Sequence, residues 1–99
     1  MHPPVSPGEI LLEEFMKPLG LSAKALALAL RVPATRVGDI IRSGQPRGVS
    51  ADTALRLARY FGTSPEFWLN LQSAYELARE IDRHGAAIER EVQPREAAA

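Results

Sequence analysis

Four small or branched apolar residues, Ala27, Val32, Val37 and Ile40, stand at relative spacings of 0, 5, 10 and 13 in SAKALALALRVPATRVGDIIR, residues 22–42. A two-helix corner needs this spacing. Ala27 lets the second helix pass close over the first, and Val37 and Ile40, three apart, point inward from the second. The outward face of the second helix then carries Thr35, Arg36, Asp39 and Arg42. In a helix–turn–helix, that face enters the DNA major groove. The pattern therefore predicts a double-stranded DNA binder.

Helix boundaries are legible from local chemistry. Ser6-Pro7-Gly8-Glu9 reads as a capping box, with Val5 and Ile10 as the staple and Pro7 in the first turn. A first helix is expected from Pro7 to about Met16, ended by Pro18 and Gly20. Ser22 caps the second helix, with Leu21 and Leu26 as its staple. The corner Arg31-Val32-Pro33 leads into the third, expected to end near Ser43-Gly44. Ser50 caps a fourth, in which Ala54, Leu57, Ala58 and Phe61 share a face and Gly62 is the C′ residue. Thr63 or Ser64 caps a fifth, with Gly85 expected to interrupt it. The expected fold is all-α, with five helices around a helix–turn–helix. Its expected organisation is a flexible N-terminus (1–5), a DNA-binding and dimerisation domain (6–84) and a flexible or partly helical tail (85–99). Expected core residues are Phe15, Leu26, Leu30, Val37, Ile40, Leu57 and Phe61.

Composition narrows the function. The 99 residues suit one domain and include no cysteine, so disulfide frameworks and thiolate metal sites are excluded. No apolar run reaches membrane-spanning length, and MHPPVSPGE lacks the regions of a signal peptide; a cytoplasmic protein with no membrane partner is expected. The net charge of zero hides an asymmetry. Residues 1–62 hold eight Lys/Arg against five Asp/Glu, while residues 63–99 hold four against seven. Between Ser22 and Arg47, five cations (Lys24, Arg31, Arg36, Arg42, Arg47) face one acid, Asp39. A local basic patch suffices to meet phosphates, because counterion release depends on the contacts made.

The candidate DNA contacts divide by role. Base edges should meet Ala34, Thr35, Arg36, Gly38 and Asp39, at the start of the recognition helix. Arg36 is the expected reader, since a guanidinium pairs bidentately with guanine O6 and N7. Asp39 lies three residues from both Arg36 and Arg42 and is expected to order them by ion pairs. Ala34 and the Thr35 methyl suit a thymine methyl. Phosphates should meet Ser22, Lys24, Arg42, Arg47 and Ser50 around helix ends, with Ser22 and Ser50 also serving as N-caps. Arg56 and Arg59 are read as surface. Phe67, Trp68, Leu71 and Tyr75 lie on a terminal helix that no later helix covers, so they are assigned to a homodimer interface. An enzyme is not expected. The two histidines, His2 and His84, lie near opposite ends of the chain, and no Cys, phosphate loop or carboxylate cluster accompanies them, so no cofactor or metal is assigned.

The segments PGEILLEEFMKPLGLS (7–22), VPATRVGDII (32–41) and SADTALRLARYFGTSPEFWLNLQSAYEL (50–77) resemble the Cro/C1-type (Xre-like) helix–turn–helix antitoxins, specifically the HigA or VapI-like group. The likeness spans about residues 7–80 and is most specific at GTSPEFWLNLQ followed by Tyr75. It implies a homodimer encoded beside a toxin resembling ribosome-associated messenger-RNA endonucleases. Such a protein binds that toxin and represses their shared promoter. Three positions depart from the family pattern. Arg31 stands where Gly is usual at the corner, at a cost of about 1 kcal/mol if φ is positive. Gly38 stands on the outer face, where relatives often carry Ser or Thr. The loop from Ser43 to Gly48 is one or two residues longer than usual. Two alternatives remain: a free-standing repressor without a toxin, and a protein-binding inhibitor whose helix–turn–helix has lost DNA affinity.

Overall fold

The structure, a computed structural model, describes residues 5–42 and 48–96. Expectations for residues 1–4, the loop 43–47 with Arg47, and residues 97–99 lie outside the described residues. Five helices form, with no strand among the described residues. Helix α1 has three consecutive stretches: α-helical Pro7–Ile10, π-helical Leu11–Met16 and α-helical Lys17–Leu19. Helix α2 is Ala23–Leu30, α3 is Ala34–Ile41, α4 is Ala51–Phe61 and α5 is Pro65–Glu91.

Cap hydroxyls set four of the five starts. Ser6, Ser22, Ser50 and Ser64 accept the amides of Glu9, Ala25, Thr53 and Phe67 at 3.0–3.2 Å, each satisfying a donor the helix cannot pair internally. Thr63 is therefore not the cap of α5. Its hydroxyl instead accepts the Trp68 indole N–H at 2.8 Å. Helix α3 starts differently: its N-cap is Pro33, with no side-chain bond to the first turn.

Two expected boundaries are corrected. Helix α1 does not stop before Pro18 but runs through it to Leu19. In the π stretch Lys17 N–H reaches Leu12 O, five residues back. This wider turn shifts the carbonyls that the proline ring would otherwise strike. Gly20, at φ 66°, then ends the helix, with Leu21 N–H on Met16 O and Gly20 N–H on Lys17 O. Gly85 does not interrupt α5, which continues to Glu91. One glycine costs only about 1 kcal/mol of helix propensity, and the turns around it hold.

The core lies where α1, α4 and α5 close over the α2–α3 corner. Leu11, Met16, Leu26, Leu30, Val37, Ile40, Leu57 and Trp68 are buried there, with Phe15 and Phe61 half-buried against them. Trp68 is wholly enclosed. Its ring centroid lies 5.1 Å from that of Phe15, tilted, and 4.9 Å from that of Phe67, edge to face, geometries that suit aromatic quadrupoles. Gly8 fixes how α1 meets the recognition helix. A Cβ there would fall 1.8 Å from the Ile40 carbonyl oxygen, so only glycine allows this approach. The extents, 53 × 27 × 22 Å, follow from α5. At about 1.5 Å per residue, its 27 residues outrun the rest of the fold.

Candidate DNA interface

The corner between α2 and α3 closes on Arg31, the one described non-glycine residue at positive φ (61°). Val32 N–H bonds Ala27 O and Arg31 N–H bonds Leu28 O. These two bonds form the wrap that usually calls for glycine at this position. The expected strain at Arg31 is therefore present, and a neighbour braces it. Arg56 of α4, read from the sequence as plain surface, donates from Nη1 to Leu30 O at 2.9 Å and to Arg31 O at 3.5 Å. This correction has a physical basis: the end of α2 has unpaired carbonyls and partial negative charge, and a guanidinium answers both.

Within α3, Val37 and Ile40 are buried while Ala34, Thr35 and Arg36 are exposed and Gly38 and Asp39 half-buried; Arg42, the C-cap that follows, is exposed. The helix thus presents the face that the apolar spacing implied. A Cβ on Gly38 would meet nothing within 4 Å, so that stretch of the face is open. The ion pairs differ from expectation in one respect. Asp39 orders Arg42, at 2.7 Å. It does not order Arg36, whose Nη1 donates at 2.8 Å to Oδ2 of Asp52 on α4. The same oxygen accepts Arg56 Nε at 2.9 Å. The Arg56 hydrogen bond first, then the charge of Arg56 and the bond and charge of Arg36, hold the Asp52 carboxyl below its ordinary range; desolvation acts the other way but is outweighed. Asp52 is therefore ionised at neutral pH.

An open depression of about 420 Å³ runs between α3 and the start of α4, lined by Pro33, Thr35, Arg36, Asp39, Ile40, Gly48, Ser50 and Thr53. It brings the expected base-contacting residues Thr35, Arg36 and Asp39 beside the expected phosphate contact Ser50. Ser50 also donates to Thr53 Oγ1 at 3.1 Å. Lys24 is exposed next to the Ser22 cap, at the other end of the motif. The far side of the loop is secured by α5: Gln72 Oε1 accepts Val49 N–H at 3.1 Å. A Cβ on Gly48 would fall 2.7 Å from Gln72 Nε2, so a larger residue there would have to push the Gln72 amide aside.

The expected dimer residues are not brought together as one surface. Trp68 is 0% exposed within its own chain, so it has no surface left for a second copy. Its assignment to an interface is corrected to core. Phe67 remains 37% exposed, Leu71 and Tyr75 are half-buried, and Arg79 stacks 5.2 Å over the Tyr75 ring. Because α5 continues through Gly85, a longer stripe runs along it. Phe67, Leu71, Ala74, Ala78, Ile81, Gly85, Ile88 and Val92 alternate spacings of four and three. That is the period of a coiled-coil seam. Ile81, Ile88 and Val92 are 61%, 46% and 63% exposed.

Known proteins share this arrangement. A helix-turn-helix family model matches residues 12–68. Virulence-associated protein I of Dichelobacter nodosus is 57% identical over 75 residues, 76% of this chain and 68% of that protein. Among solved structures, the Pseudomonas aeruginosa antitoxin HigA with the higBA promoter is 52% identical. That alignment covers 92% of this chain and 97% of HigA, at a TM-score of 0.87. Antitoxin GraA in complex with its operator is 50% identical, covering 98% of this chain and 95% of GraA, at a TM-score of 0.89. The chain belongs to the Xre-type helix–turn–helix family, in its HigA and VapI-like branch, a group of DNA-binding regulators rather than enzymes.

Proposed function

We propose that this protein is the antitoxin of a toxin–antitoxin pair, that it binds operator DNA as a dimer and represses its own operon in the cytoplasm, and that it neutralises a partner messenger-RNA endonuclease toxin. The observation that carries the reading is the likeness, over nearly the whole chain, to an antitoxin solved with its promoter. The exposed face of α3 supports the DNA-binding half.

Arg36 reads a guanine edge, with Ala34 and Thr35 against a thymine methyl and Gly38 allowing close approach. Asp39 orders Arg42. Ser22, Lys24, Arg42, Arg47 and Ser50 meet phosphates, which position the protein without carrying sequence information. Dimerisation uses Phe67, Leu71 and Tyr75, continued along α5 by the seam from Ala74 to Val92. Ala74, Ala78 and Gly85 are small, so two such helices can approach closely, while Ile81, Ile88 and Val92 supply apolar area.

Two experiments divide the halves of this reading. Co-expression with the product of the neighbouring gene should relieve growth arrest, and the two proteins should co-purify. A neighbour that is harmless alone and fails to bind leaves the free-standing repressor as the function. For DNA, Arg36→Ala should cost about 1–3 kcal/mol on the operator and much less on random duplex. Lys24→Ala should weaken both alike and lower the salt slope by about one. Equal losses for Arg36→Ala on the two duplexes would remove Arg36 as the reader.

A further inference from the structure

The contacts of Asp52 form a chain across three helices. It begins at the corner carbonyls Leu30 O and Arg31 O, passes through Arg56 Nη1 and Nε to Asp52 Oδ2, and ends at Arg36 Nη1 on the recognition helix. We propose that Asp52 is a positioning residue for DNA recognition: anchored to the corner through Arg56, it holds the Arg36 guanidinium at the depression between α3 and α4, ready for a guanine edge. The inference rests on the proposed role of Arg36 as the reader.

Stability does not account for this arrangement. The Arg36 and Asp52 side chains are 41% and 55% exposed, and ion pairs so exposed contribute about 0–1 kcal/mol. Helix α4 already has its cap in Ser50. Orientation is a different matter. A free arginine side chain carries about 2 kcal/mol of rotamer entropy, which binding would otherwise have to remove. Asp52 takes one of the five guanidinium N–H groups, leaving the fork able to meet the O6 and N7 pair of guanine. The Asp39–Arg42 pair is unlike this one. Its partners stand three residues apart, on α3 and at the C-cap that directly follows it, so it carries no information about the corner. Asp52 ties the aim of Arg36 to the bend between the two motif helices, where the backbone strain at Arg31 also sits.

The test is a double-mutant cycle on wild type, Arg36→Ala, Asp52→Asn and the double variant. Each is titrated at one salt concentration against a duplex that the wild type selects from a randomised pool, and against a scrambled duplex of equal length. Thermal melts followed by circular dichroism establish that all four are folded. Asp52→Asn should lower the ratio of selected to scrambled affinity about tenfold. Scrambled binding should stay level or rise, because a negative charge near the phosphates has gone. In the Arg36→Ala background, Asp52→Asn should change the ratio no further. A ratio left at the wild-type value or raised, or an equal loss on both duplexes, overturns the positioning role, even where Arg36→Ala alone still weakens only the selected duplex. Equal losses on both duplexes for Arg36→Ala itself are the separate sign that the reader was misassigned, and the positioning role then falls with it.

Discussion

From Ser6 to Gln72 the molecule covers its large core side chains itself: Leu26, Leu57 and Trp68 are 0% exposed. From Ala74 to Val92 no residue is buried. The same helix, α5, belongs to both regions. Its first two turns plug the head with Trp68 and brace the loop exit with Gln72, whereas its later turns extend beyond the head with an apolar seam in the open. A closed core and an open seam call for different partners. The head needs only its own chain to be stable. The arm has apolar area that a second copy would cover, and two copies of one helix do so reciprocally about a twofold axis. Folding should therefore be a property of the head, and assembly a property of the arm.

Trp68→Ala strikes the head hardest. Removing a fully enclosed indole should cost about 3–5 kcal/mol, seen as a shift in denaturation midpoint. The loss is one of folding, not only of association, which separates the core assignment from the interface expected from spacing alone. Gly8→Ala follows, at about 1–3 kcal/mol, because its Cβ would collide with the Ile40 backbone. Operator affinity should fall with it, since the collision displaces the end of the recognition helix. Arg31→Gly acts in the opposite direction, raising stability by about 1 kcal/mol as the left-handed strain is relieved. Denaturant titration checks all three. Ile88→Glu is the smallest perturbation of the fold, within about 0.5 kcal/mol for an exposed site. In sedimentation, however, it should shift the dimer to monomer. It is a cleaner probe than Leu71→Glu, because Leu71 also packs on the head's core. A dimer that survives Ile88→Glu would move assembly off the arm.

What was legible in the sequence was chiefly local. Three helix starts follow from a serine hydroxyl and an amide three residues on, a fourth is narrowed to Thr63 or Ser64, and the inward face of α3 follows from the spacing of Val37 and Ile40. What escaped was held by distant partners. Arg56 looks like surface until the carbonyls of Leu30 and Arg31, some 25 residues back, are placed beside it. Arg36 has an acid nearby in sequence, Asp39, yet pairs with Asp52 across the corner. Gly8 reads as part of a capping box, and its close approach to Ile40 becomes visible only when α1 and α3 are packed. Pro18 and Gly85 are poor helix residues by propensity, but a π-helical turn accommodates the first and long flanking turns carry the second. Trp68 shares a helical face with Leu71 and Tyr75, and spacing alone does not tell a residue covered by its own chain from one covered by another.

Hydroxyl-radical footprinting of the wild-type protein on its selected duplex tests the central claim, a helix–turn–helix dimer on an operator, most directly. Two protected patches should appear on an inverted repeat, with centres about 34 Å or 10 base pairs apart, or a multiple of that distance. A single protected half-site, or no sequence selected at all, would contradict it.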